Sequence, residues 1–217
     1  MAGAASKCQD RRVQGELGLR ERKKRERRQR IEAVAIDRFE ANGFDATTID
    51  DIAAAADIAP RTFFAYFPTK EDVVLADYAD RLERTTNELA RRPPAEPPWL
   101  ALSTSFATVA ADYEAERVQL IRRFAIMAVN PSVQARSLQL QAGWESAVAD
   151  VLSRRSGAGA DDVTPRLMAA TALACMRSSI SHWILTGHQE PLPDLVKASF
   201  DRLAGGLAAV PFTPTAG

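Results

Sequence analysis

The side chains able to do chemistry gather behind Pro60. Arg61, Thr62, Phe64, Ala65 and Tyr66 follow it in one short aromatic stretch that Pro68 ends. Helical spacing turns these five outward and turns Phe63 and Phe67 inward. A guanidinium, a hydroxyl, a phenol and two apolar faces make contacts rather than break bonds. A helix carrying them can enter a DNA major groove about 12 Å wide, where Phe64 and Ala65 are suited to touch a thymine methyl. No bond-making pattern competes with this reading. The chain has no carboxylates paired in a catalytic motif, no nucleophile elbow, no glycine-rich phosphate loop and no HExxH. His182 and His188 lie across a helix end and a loop, without zinc-ligand spacing. Cys8 and Cys175 make neither a disulfide framework nor a metal site. The expectation is no catalysis, no metal and no cofactor.

Two short helices and a tight turn must hold that outward face. The first, near 48–56, takes Thr47 or Thr48 as its N-cap, with Asp50 and Asp51 in the first turn, where the helix dipole favours carboxylates. Asp57-Ile58-Ala59 breaks it, and Pro60 opens the second, 60–67, at a position where its missing N–H costs nothing. The small residues Ala53 to Ala56 let the two cross closely. Before them, 19–42 reads as a helix with Ile31, Val34, Ala35 and Phe39 on one face, closed by Asn42-Gly43. After them, Thr69 caps a helix predicted to run unbroken over 70–92, and the prolines of 91–98 make a corner. Further helices are expected near 99–112, 114–129, 131–155, 163–186 and 192–209. With no alternating strand pattern and no repeat, the fold class is all-α.

Net charge is zero over 217 residues, yet residues 1–31 carry eleven Lys/Arg against four Asp/Glu. That asymmetry reads as a basic arm on an acidic body, and such an arm, Arg28 included, attracts phosphate. The stretch 20–30 reads equally well as a solvated helix end. No apolar run approaches the roughly 18 residues of a membrane span, and no apolar core follows the charged N-terminus as in a secretory signal. A cytoplasmic protein without a membrane partner is expected.

TTIDDIAAAADIAPRTFFAYFPTKEDVV, preceded by FEANGFDATT, resembles the DNA-binding domain of the TetR family of repressors over about residues 28–76. The resemblance implies a three-helix reader at 19–69 and a helical effector-binding and dimerisation domain at 70–210; the aperiodic stretch 1–18 and the polar, proline-containing 211–217 read as tails from their composition. It implies a homodimer on a near-palindromic operator of double-stranded DNA, released by a small molecule. It also implies site roles. Thr47 and Thr48 would meet a phosphate at the start of the second helix. Pro60, Arg61 and Thr62 would stand at the reading end of the third, Tyr66 would reach a phosphate, and Lys70 would open the fourth helix beside the backbone. RTFFAYFPTKEDVVLADY is similar to a subgroup that includes the mycofactocin-system repressor, which implies an acyl-CoA-like effector.

The second half offers residues that could line a ligand pocket, apolar with a few polar groups: Phe106, Tyr113, Phe124, Met127, Trp144, Met176, Ser179 and Trp183. Arg123, beside Phe124, could hold an anionic head. The same positions also suit an ordinary core. Helix 163–186 is apolar nearly all round, so it and 192–209 are the expected dimer helices. The expected lever from pocket to reader is helix 70–92. A helical protein-interaction adaptor is the alternative class; the basic arm and the Arg61-Thr62 end favour DNA. Repression and activation both remain open from the residues alone.

Overall fold

Helix α1 (Gly3–Asn42) opens the computed structural model, which describes residues 3–157, 159 and 161–206, and the side chains from 20 onward apart from Glu21. α1 begins well before residue 19, so residues 3–18 of the stretch expected as a tail are helical; their Ala, Gln, Glu, Leu and Arg residues are good helix formers. The tail expected at 211–217 lies outside the described residues. Every described element is α-helical: α2 (Ile49–Ala55), α3 (Pro60–Phe63), α4 (Lys70–Val74), α5 (Tyr78–Arg91), α6 (Pro98–Ala115), α7 (Arg117–Val129), α8 (Pro131–Ser156), α9 (Thr164–Leu185) and α10 (Leu192–Ala204).

The chain divides into two compact units. The first is Met1–Ala76 with Ile126–Val133, and the second is Asp77–Ala125 with Gln134–Gly217. The border therefore falls after Ala76 rather than at residue 70, and α4 stays with the reader. The single helix expected over 70–92 is two helices. The Leu75 N–H reaches back to Glu71 and Val73, and the Ala76 N–H turns to Val73 O at 3.3 Å, tightening the last turn until the helix stops.

In the first unit, α1 buries Ile31, Ala35, Ile36 and Phe39, and Val34 is half-buried. Gly43 ends α1 at φ +87°, a left-handed conformation that glycine adopts without a Cβ penalty, and its N–H closes on Phe39 O at 2.9 Å. Ile52 and Ala53 of α2, Phe63 and Phe67, and Val73 and Val74 of α4 complete the buried set. Each large side chain among them contributes about 1.5–3 kcal/mol by burial.

The second unit is built around α6, which packs against α5, α9 and α10. Phe106 lies 5.9 Å from the Phe200 ring, and Trp99 lies 4.7 Å from it while donating its indole N–H to Phe200 O at 3.2 Å. Ser179 and Ser199 share a 2.9 Å hydrogen bond between α9 and α10. Arg155 of α8 donates to the carbonyls of Leu89, Arg92 and Pro93 at 3.1, 2.6 and 2.9 Å. One guanidinium thus satisfies the orphan carbonyls at the end of α5 and fixes the proline corner.

The turn between α2 and α3 is a Schellman closure made with an aspartate. Asp57 sits at φ +57°, its N–H meeting Ala54 O at 3.2 Å, and the Ile58 N–H meets Ala53 O at 3.0 Å. Aspartate tolerates this conformation better than most residues but less well than glycine. Asp57→Gly should raise the stability of the first unit, and Asp57→Val should lower it by about 1–2 kcal/mol. Denaturant titration followed by tyrosine and far-ultraviolet signals checks both.

Candidate nucleic-acid interface and effector core

The reader is held by caps rather than by length. Thr48, not Thr47, caps α2. Its hydroxyl donates to the Asp51 carboxylate at 2.6 Å and accepts the Asp51 N–H at 3.1 Å, while the Thr48 N–H donates back to the same carboxylate at 2.9 Å. Those bonds from the Thr48 side chain and backbone hold the Asp51 carboxyl below its ordinary range. Thr69 and Asp72 repeat the arrangement at α4. Both are reciprocal capping boxes with aspartate in the third position.

Pro60 opens α3, whose α-helical part ends at Phe63. The coil then tightens through Ala65 N–H to Thr62 O at 3.2 Å and Tyr66 N–H to Phe63 O at 2.9 Å. The segment expected as helix 60–67 is therefore one helical turn continued by turns, which Pro68 cuts short. Phe63 and Phe67 are fully buried, with rings 5.8 Å apart. On the other side Arg61, Ala65 and Phe64 are exposed, Phe64 at 55%, and Thr62 and Tyr66 are half-buried.

Three residues named with this interface face the protein instead. Thr47 is buried, and its hydroxyl donates to Gly43 O at 2.8 Å, so it closes the end of α1. The Lys70 ammonium donates to Phe44 O at 2.8 Å and stands 4.4 Å over the Phe44 ring, so it braces the loop before α2. Arg28 donates to Ala76 O and covers the Phe67 ring at 5.5 Å, so it ties α1 to the end of α4. The carbonyls left unpaired where α1 and α4 end account for two of these roles: the loop carbonyls take Lys70, and Ala76 O takes Arg28.

In the second unit Phe106, Tyr113, Met176 and Trp183 belong to one buried cluster, with Phe124 packed on its edge. Trp144 is buried against Tyr78, rings 5.9 Å apart, and Ser179 is buried in its bond to Ser199. Met127 falls in the segment that belongs to the first unit. The Trp183 indole N–H is fully buried, and no hydrogen-bond acceptor meets it. Cys175 is buried too, which pushes its thiol up to about 11 and leaves it protonated and inert.

An ion cluster that sequence reading missed lies at the start of α5. Arg81 is buried, 3.6 Å above the Tyr113 ring, and donates to Asp77 at 2.5 Å and Glu116 at 2.7 Å. Arg123 donates to the other Asp77 oxygen at 3.0 Å. Burial opposes the Arg81 charge, but Tyr113, Asp77 and Glu116 together outweigh it and raise its pKa. Arg123, expected to meet a ligand head, is bound to Asp77. The i,i+4 pair Asp77–Arg81 was visible in the sequence; its burial was not.

Paired short helices with a solvent-facing second member, followed by an all-helical unit, define a helix-turn-helix transcription regulator. Residues 31–76 match the family described as bacterial regulatory proteins, tetR family, and residues 96–208 match the MftR C-terminal domain. The protein named mycofactocin biosynthesis transcriptional regulator MftR in Mycobacterium tuberculosis is 32% identical over 82% of this chain and 89% of its own. The HTH-type transcriptional regulator TcmR of Streptomyces glaucescens is 33% identical over 77% of each. Thermus thermophilus FadR, a TetR family transcriptional repressor solved in complex with lauroyl-CoA, superposes with a TM-score of 0.58 at 26% identity, over 88% of this chain and 99% of that one. The chain belongs to the TetR family of transcriptional regulators. The families and relatives it matches are regulators, not enzymes. No described helix is long and apolar enough to cross a membrane.

Two outcomes follow. Because the Asp51 carboxyl is lowered in the folded state, its contribution is fully present above the ordinary value of 3.8 and is lost as pH falls through the lower folded value. Thr48→Val should therefore be destabilised at neutral pH, and the gap to the parent protein should narrow as pH falls below the ordinary carboxylate value and through the lower folded one. Urea titrations across pH measure it. Lys70→Met should destabilise the first unit by about 1–3 kcal/mol, the worth of a charge-assisted bond, by the same titration.

Proposed function

We propose that the chain is a ligand-released repressor that reads a near-palindromic operator as a homodimer. The observation that carries the reading is the split face of the 60–67 segment: Phe63 and Phe67 anchor it while Arg61, Phe64 and Ala65 meet solvent. Arg61 would supply a guanidinium to base edges or phosphates, Phe64 and Ala65 would offer apolar contact to thymine methyls, and Thr62 and Tyr66 would flank them. Thr48, at the start of α2, would meet a phosphate only by giving up the bonds that its hydroxyl and N–H make to Asp51.

The dimer rests on α9. One side buries Ala172, Cys175, Met176, Ser179 and Trp183, yet Leu167 and Leu185 stand 62% and 85% exposed on the same helix. A helix with apolar residues on both sides needs a second cover, and a copy of itself supplies one. Two readers would then sit about one duplex turn apart, roughly 34–36 Å.

An acyl-CoA-like effector is supported by the FadR neighbour bound to lauroyl-CoA and by the buried Trp183 donor, which a ligand acceptor would satisfy. The ligand would sit among Phe106, Tyr113, Phe124, Met176, Ser179 and Trp183. The break at 75–77 replaces the continuous lever as the place where the signal would pass.

The test is fluorescence anisotropy on duplex from upstream of the chain's own gene. Arg61→Ala should weaken operator binding by about tenfold or more, the worth of one good base contact, and change random-sequence binding far less. Equal losses on both would remove Arg61 from base reading. Lauroyl-CoA should raise the thermal midpoint and release the operator; no shift with acyl-CoAs of any length would overturn the effector class.

A further inference from the structure

We infer that the exposed basic stretch of α1 grips backbone phosphates of the duplex that flanks the operator, outside the groove the reader occupies. Arg20, Arg22, Lys23, Lys24, Arg25 and Arg27 are all exposed, against the single described carboxylate of Glu26. Arg22 and Glu26 stand 3.6 Å apart as an exposed i,i+4 pair, which screens one cation and leaves the excess positive. The family match begins at residue 31, the first fully buried position of α1 among the described side chains, so this stretch lies outside the matched reader segment.

Where the arm leaves the domain is fixed. Arg28, over the Phe67 ring and on Ala76 O, roots α1 at the end of the reader segment, one residue beyond Tyr66. From that root the helix advances about 1.5 Å per residue, so Arg27 back to Arg20 spans roughly 10 Å. Along a duplex strand that length passes about three phosphates. Six cations over three phosphates exceed what charge balance on one strand requires, and no base-reading fork with a rigid support is present. The contact is therefore one of charge, steep in salt and indifferent to sequence. It also explains how a chain of zero net charge binds a polyanion: its positive charge is placed where the duplex runs, and the acidic remainder is kept elsewhere on the sequence.

The inference rests on the reading that the Arg61 face lies in the groove, and the experiment separates the two. Anisotropy is measured from low to high potassium chloride for the full chain and for a variant with Arg22→Gln, Lys23→Gln, Lys24→Gln and Arg25→Gln. Each is tested on the operator with its native flanks and on one trimmed by about four base pairs at each end. A dimer carries eight of the replaced cations, and each neutralised phosphate contributes about 0.9 to the slope of log K against log salt. With about three phosphates under each arm, the variant slope should be shallower by about 2 to 5. Trimming should weaken the parent several-fold and leave the variant unchanged, while operator preference over random duplex and the thermal midpoint stay the same in both. A parent that binds the operator specifically, with a slope and flank dependence the variant keeps, overturns the arm. A parent with no preference for any upstream duplex overturns the groove reading instead.

Discussion

The reader depends on the burial of Phe63 and Phe67. A helix of four residues has no stability of its own, because nucleation fixes several dihedrals for a single hydrogen bond. What holds Pro60–Phe63 in shape is the insertion of two rings into the core made by α1, α2 and α4. The same insertion decides which side chains meet solvent: with 63 and 67 inside, 61, 64 and 65 are outside. The reading surface is thus a by-product of the anchoring, and a polar residue at either phenylalanine would abolish both together.

The rest of the first unit removes freedom from that anchored turn. Two capping boxes fix where α2 and α4 begin, Asp57 closes the end of α2, and Thr47, Lys70 and Arg28 occupy carbonyls that the helix ends leave open. A base contact needs its donor positioned to within a fraction of an ångström, and a charged side chain that tightens the scaffold serves that purpose without touching DNA. Two of the unit's cations are therefore already engaged in bracing it. Lys70 and Arg28 are held by carbonyls and aromatic faces, and Arg61, with neither, is left to the solvent side.

Much of this was legible in the sequence. The apolar spacing of Ile31, Ala35 and Phe39, the proline before Arg61 and the alternation of inward and outward aromatics each follow from period and turn chemistry, and the all-α class and the family follow with them. Three kinds of feature were not legible. Thr47 and Thr48 are adjacent hydroxyls with equal cap propensity, and only the path of α1 decides which is turned inward. The helix at 70–92 carries no proline or glycine near 75–77, so its break has no local marker. The partners of Arg81 and Arg123 are 35 and 46 residues away, at Glu116 and Asp77, beyond the reach of any local pattern. Local rules found the elements; distant pairings decided which charges are used up.

The second unit bears on how a regulator of this form could respond to a ligand. Phe106 and Trp183 are fully buried, and Met176 and Tyr113 nearly so, so a molecule lying among them must displace packed side chains. That requirement is what makes such a site useful as a switch. A ligand that entered without rearrangement would bind both states equally and shift neither. One that parts α6 from α9 binds only the opened arrangement, and its binding free energy biases the equilibrium. Tyr113 belongs to that core and also lies beneath Arg81, whose partner Asp77 is the first residue after the border between the units. On the proposed reading, a shift of Tyr113 would change the support of that buried cation and with it the cation's bond to Asp77. Packing in an apolar core would in this way set the position of one carboxylate at the start of α5.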